Sequence, residues 1–136
     1  MALVIDASVV AAWAFKEEHA IAQLTFARVR TEEAFVPALW WYELRNVLVH
    51  GERHGRLTEQ ETARFLRDIS RLRISLDRTP DEMPVLTLAR RHRLTVYDAA
   101  YLELAQREAA ALATLDEALA AAARAEGVPL VGVPIQ

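Results

Sequence analysis

Cysteine is absent from the chain, so no disulfide and no thiolate metal site can form, and any metal must be held by oxygen or histidine nitrogen. The four histidines show no metal-ligand spacing. Lysine is nearly absent too: of the 16 basic residues only Lys16 is lysine. Arginine suits phosphate contacts through its planar fork, although coding bias produces the same excess. No apolar run approaches the length of a membrane span, and the apolar N-terminus is too short for a signal segment and is cut off by Asp6. A soluble cytoplasmic protein is therefore expected, with no membrane partner. A clear excess of one charge is also lacking. With 16 basic and 19 acidic residues the net charge is -3, so nucleic acid is not attracted globally and any such binding has to depend on local patches.

What is present is apolar sequence in short, punctuated pieces. At 136 residues and 53% hydrophobic, the chain is long enough for one domain over residues 1–136, burying roughly two thirds of the surface that its unfolded form exposes. Leu3-Val4-Ile5 reads as a strand buried on both faces, and Ser8 is positioned to cap a short helix through Val9, Val10 and Trp13. A helix over Ala20 to Val29, a strand at Ala34-Phe35-Val36 and a helix opened by Pro37 and ending near Gly51 follow. Thr58 to Glu61 is a capping-box pattern ahead of an amphipathic helix carrying Phe65, Leu66, Ile69 and Leu72. Ile74-Ser75-Leu76, Ala111 to Thr114 and Leu130 to Val133 complete a set of five strands. They are interleaved with helices over Met83 to His92, from about Asp98 through Leu104, and from Asp116 to Gly127. Strands separated by helices predict an α/β fold: a mostly parallel sheet of about five strands with helical layers on both faces.

Four acids fall at telling places in that pattern. Asp6 ends the first strand and Asp116 follows the fourth by two residues, so in a parallel sheet both lie at the edge where ligands bind. Glu43 stands about 100° round its helix from Leu44, on the border of the apolar stripe. Asp98 begins a helix whose Ala99, Leu102 and Ala105 face inward. Each acid also has a purely structural explanation. Asp98 can complete a capping box with Thr95, Asp116 can cap the last helix with help from Thr114, and Glu43 can be a solvated residue paired with Arg45 or Asn46. If all four converge, two like charges about 5 Å apart repel by roughly 3 kcal/mol at an effective dielectric near 20. Several such pairs rival the stability of a whole domain, roughly 5 to 15 kcal/mol. The cluster must then raise some pKa values or bind a cation, and an all-carboxylate site selects hard ions such as Mg²⁺ or Mn²⁺. Such ions neutralise phosphodiester oxygens and activate water without a histidine. Ser8 and Thr114 are suited to hydrogen-bond the carboxylates.

The same residues carry a family resemblance. Asp6-Ala7-Ser8, Glu43-Leu44-Arg45-Asn46-Val47-Leu48, Tyr97-Asp98-Ala99-Ala100-Tyr101-Leu102-Glu103-Leu104-Ala105 and Thr114-Leu115-Asp116 resemble the four acidic motifs of PIN-domain ribonucleases. In length and spacing the chain is similar to the VapC toxins of toxin–antitoxin pairs. The resemblance covers the whole chain, and Tyr97 to Ala105 is its most specific part. It implies a PIN-like three-layer fold and a Mg²⁺- or Mn²⁺-dependent endoribonuclease, with Asp6, Glu43, Asp98 and Asp116 as metal ligands and Ser8, Thr114 and Asn46 as supporting polar groups. It also implies a homodimer and a VapB antitoxin whose tail occupies the acidic cleft while its other end binds operator DNA.

RNA entering an acidic pocket needs flanking positive charge. Arg90, Arg91, His92 and Arg93 form the densest basic run and Arg53, His54 and Arg56 another, although a solvated helix face explains each equally. Trp40 and Trp41 point about 100° apart, so one is core and the other is available for a dimer or antitoxin contact. Two rivals remain. A receiver-like phosphotransfer domain would use Asp77 after the third strand, but it needs a paired acid after strand one and a lysine after the last strand, and this chain has neither. A PIN fold that binds RNA or protein without cutting has no such defect.

Overall fold

The branched run Leu3–Ile5 forms β1, and all three residues are sealed from solvent, as an unbroken apolar strand covered on both faces requires. The computed structural model describes residues 1–133. β1 lies inside a parallel sheet, between β2 (Ala34–Pro37) and β4 (Ala111–Ala113), with β3 (Ile74–Asp77) at the edge beyond β2. Leu3 pairs with Ala34 on one side and Ala111 on the other, and Ile5 with Ala113, so β1 and β4 finish level.

Helices fill the connections. α1 (Ala7–Ala14) and α2 (Ala20–Val29) lead to β2, and α3 (Leu39–Arg53) and α4 (Glu59–Ser70) lead to β3. α5 (Glu82–His92) and α6 (Val96–Arg107) cross back to β4, and α7 (Glu117–Ala125) follows it. α1 packs on α2 and α3, while α6 lies across β2, β1 and β4 and against α5 and α7. The chain thus leaves β1 toward β2, whereas β4 flanks it from the opposite side. Their connections part above the carboxyl ends of the two strands, leaving the crevice that such a reversal creates in an open α/β sheet.

Several local expectations hold. Thr58 and Glu61 form the reciprocal capping box, with the Glu61 N–H donating to Thr58 Oγ1 at 3.1 Å and the Thr58 N–H to Glu61 Oε1 at 2.9 Å. Ala99, Leu102 and Ala105 are buried. Others are corrected. The fifth strand reduces to a single parallel bridge between Leu130 and Leu112, because Pro129 offers no N–H to a ladder and Gly132 turns the chain at φ +87. The sheet among the described residues therefore has four strands. Pro37 does not open a helix: it closes β2 opposite Asp77, where a missing N–H is tolerated. Gly51 does not end α3. It is buried within the helix because the Phe15 ring comes within 2.6 Å of where a Cβ would stand, and the turn falls at Gly55, φ +71. Ser8 caps no helix; α1 is preceded by Asp6 and has no side-chain cap.

One charged network ties the edge strand to the core. Glu103 is buried and accepts from Arg107 at both oxygens (2.7 and 3.0 Å), and the same guanidinium grips both Asp77 oxygens at 3.0 and 2.8 Å. The Asp81 N–H also points at Glu103, at 3.4 Å. Arg107 holds the Asp77 carboxyl below its ordinary range. Asp77 is thus engaged in the fold, which removes the receiver-like reading. Truncating Arg107 strands a buried carboxylate, a change that typically costs about 3 kcal/mol or more. Arg107→Ala is expected to lower the melting temperature by roughly 10 °C; a thermal unfolding curve that overlays the parent's would show the network to be ornamental.

Candidate active site

Asp6 sits where β1 stops, and its backbone N–H still donates to the Ala113 carbonyl at 2.9 Å, which fastens it to the end of β4. Its Oδ2 accepts from Ser8 Oγ at 2.7 Å and from Thr114 Oγ1 at 2.8 Å. The direction of those protons is settled by what else the hydroxyls do. Ser8 Oγ accepts from the Leu115 N–H (3.1 Å) and Thr114 Oγ1 from the Asp116 N–H (3.0 Å), so each hydroxyl has its own hydrogen free for the carboxylate. Two residues expected to support the acids do so, and they also knit the loop after β4 to the end of β1.

Asp116 is delivered by that loop to the N-terminus of α7, where its Oδ1 accepts from the Leu119 N–H at 2.9 Å. The capping role foreseen for it is real, and it occupies one of the two oxygens. Asp98 lies in the first turn of α6, with its N–H donating to Thr95 Oγ1 at 3.1 Å. Glu43 projects from the second turn of α3 and accepts at Oε1 from Tyr101 Oη at 2.6 Å. It is paired with neither Arg45 nor Asn46. The Arg45 guanidinium lies 4.0 Å from the centre of the Trp41 ring and donates to the Trp41 carbonyl, and Asn46 is exposed beside Glu43 in one groove.

The four acids feel one another. Burial is the main cause raising the pKa of Asp6, and Asp116 adds to it, against the hydrogen bonds from Ser8 and Thr114. Burial likewise raises Glu43, helped by Asp6 and Asp98, and raises Asp98, helped by Asp116 and Asp6. No arginine, lysine or histidine forms an ion pair with any of the four among the described residues. The donor set is thus carboxylate oxygen alone, which suits a hard divalent cation that keeps waters and accepts substrate oxygens. Among the described residues no three acidic or imidazole side chains stand arranged as a ready metal site. His50, in the last turn of α3, and His54, just past its end, lie with ring centroids 4.1 Å apart, with no third ligand beside them among the described residues.

The basic residues divide. Arg53 lines a groove of about 550 Å³ along α3 together with Glu43, Asn46, Arg45, Trp41 and Val49. Arg91 instead pairs with Glu126 at 2.8 Å, and His92 contacts the same carboxylate at 2.6 Å, at the end of α7 opposite Asp116. Arg90 and Arg93 are exposed. Trp40 is core and Trp41, 43% exposed, is the outward one. Tyr101 was not singled out as a site residue. The signal was its position one turn after Asp98 on the same helix face.

A parallel sheet that gathers four acids at its carboxyl edge defines a class, and residues 3–125 match the PIN domain family. The chain belongs to that family. More particularly, it is 36% identical over 124 residues to Ribonuclease VapC3 of Pyrobaculum aerophilum, covering 88% of this chain and 93% of the relative. Among solved structures it is similar to PAE2754 from Pyrobaculum aerophilum, with a TM-score of 0.70 and 24% identity over 90% of this chain and 84% of that one. It is also similar to FitAcB from Neisseria gonorrhoeae, with a TM-score of 0.62 and 16% identity over 96% of each. Those two likenesses concern the fold.

The raised acids have a pH signature. A carboxyl that titrates above its unfolded value (3.8 for Asp6) disfavours the folded state once the pH passes that value, and the penalty persists at neutral pH. In EDTA at pH 7, Asp6→Asn is expected to raise the melting temperature by a few degrees, on the order of 1 kcal/mol, because the amide oxygen keeps both hydroxyl hydrogen bonds and sheds the charge. The gain should vanish below about pH 4, where Asp6 is protonated in both states. A variant that melts lower than the parent at pH 7 without metal would refute the crowding.

Proposed function

We propose that this chain is a Mg²⁺- or Mn²⁺-dependent endoribonuclease, a toxin of the VapC kind that a VapB-type antitoxin inhibits in the cytoplasm. The observation that carries the reading is a cluster of four acids with no basic partner among the described residues, in a chain similar to Ribonuclease VapC3 along nearly its whole length. Asp6, Glu43, Asp98 and Asp116 would hold the cation. When bound, a divalent ion neutralises the phosphodiester oxygens and lowers the pKa of an attacking water. The residues of the chain do the rest. Ser8 and Thr114 fix the Asp6 carboxylate, the α7 cap fixes Asp116, and Asn46 stands beside Glu43 to meet a ribose or phosphate oxygen. Water's oxygen bonds to phosphorus as the phosphorus–ribose oxygen bond breaks, and its proton leaves with the ribose oxygen. RNA is the substrate, the protein acts as a homodimer, and DNA is reached only through the antitoxin. The outward Trp41 is offered to one of those protein contacts.

A PIN module that binds without cutting is favoured by one observation, the use of an Asp116 oxygen as a helix cap. Cleavage assays on structured RNA with protein freed of partners separate the two. Cutting is expected with Mn²⁺ or Mg²⁺, none in EDTA, and at least about a 100-fold loss, ~2.7 kcal/mol of barrier, in Asp98→Asn. RNA binding by the parent without cleavage under every metal condition would leave the non-catalytic module.

For the RNA path, Arg53→Ala is expected to raise KM several-fold and to reduce the slope of log affinity against log salt by about 1, as loss of one phosphate contact does. Arg91→Ala, which removes one partner of Glu126 and leaves His92 and Gln106 on it, should leave both unchanged. Equal losses in the two variants, measured by fluorescence anisotropy, would place the RNA elsewhere.

A further inference from the structure

A tyrosine whose ring is wholly buried can be replaced by phenylalanine in most cores, since a buried hydroxyl adds a desolvation cost and must find a partner. Tyr101 is such a residue, fully enclosed on α6. Its hydroxyl finds the Glu43 carboxylate, 58 positions away in the chain, at 2.6 Å. Asp6 also lies within electrostatic reach of that hydroxyl. The oxygen therefore stands between two of the four acids while its ring is anchored one turn beyond a third, Asp98. Glu43 has three rotatable side-chain bonds, and among the described residues no other donor reaches its carboxylate.

Resting on the cation-dependent reading above, we propose that Tyr101 is a positioning residue: its hydroxyl takes one oxygen of Glu43 and thereby aims the other at the cation before the cation arrives. Partners of this kind, one step removed from the ion, typically contribute 10- to 100-fold to metal affinity. The hydroxyl touches no substrate, and its part is to remove the search that a free glutamate would make.

The test compares the parent, Tyr101→Phe, Glu43→Gln and the double variant. Mn²⁺ binding is read without RNA from the electron paramagnetic resonance signal of the free ion, beside thermal unfolding in EDTA and cleavage kinetics at graded Mn²⁺. Tyr101→Phe keeps the ring, so its melting temperature should stay near the parent's while its Kd for Mn²⁺ rises about tenfold. Its kcat should fall at low Mn²⁺ and recover at high Mn²⁺, with KM for RNA unchanged. In the Glu43→Gln background the same change should add nothing. An unaltered Mn²⁺ affinity, an equal effect with Gln at position 43, or collapse of the fold in Tyr101→Phe would overturn the assignment. A parent that binds Mn²⁺ and cuts RNA while Tyr101→Phe matches it overturns this inference alone. A parent that binds no Mn²⁺ overturns the nuclease reading with it.

Discussion

The meeting of the Asp6 carboxylate with the hydroxyls of Ser8 and Thr114 is the contact on which the rest of the site depends. Burying a carboxylate beside other carboxylates opposes folding, and a pair about 5 Å apart contributes roughly 3 kcal/mol of repulsion at an effective dielectric near 20. Each hydrogen bond to a charged group returns about 1.5 to 3 kcal/mol. The two hydroxyls therefore offset much of the strain at Asp6 without cancelling its charge. They also join β1 to the loop that carries Asp116, so the bonds that keep Asp6 in place set the spacing of the second acid as well.

The molecule contains a contrasting solution to the same problem. Glu103 is as buried as Asp6, yet Arg107 neutralises it with two hydrogen bonds and continues to Asp77. Arginine is plentiful in this chain, and none of it is spent on Asp6, Glu43, Asp98 or Asp116 among the described residues. Glu103 has a resident cation built into the fold, and the four candidate-site acids have none among the described residues. That difference, more than acidity itself, separates the structural network from the candidate site.

Positive charge is arranged with a similar economy. Arg53 and Arg45 line the groove that Glu43 also lines, and among the described residues neither forms an ion pair with the four acids. Arg45 is occupied by the Trp41 ring and Arg91 by Glu126, so neither is drawn into the crevice. The acids keep their mutual repulsion.

Much of this was legible in the chain alone. The run Leu3–Ile5 announced an interior strand, Thr58 and Glu61 announced a helix start, and four acids stood at strand ends or on the margins of apolar helix faces. These are local facts, written in spacing and residue type. The fifth strand shrinks to one bridge because Pro129 and Gly132, both visible in the chain, interrupt the apolar run that suggested it. The end of α3 falls two residues past Gly51, and only the packed Phe15 ring explains a glycine inside the helix. Arg91 pairs with Glu126, 35 positions away, a contact that no local pattern announces. The hydroxyl of Tyr101 was invisible as a site group for the same reason: its partner is 58 residues distant. Residue type and period determined which elements form and which acids lie near an edge. Only the tertiary structure decided which charges face a partner and which face each other, because that depends on contacts between segments that no local pattern encodes.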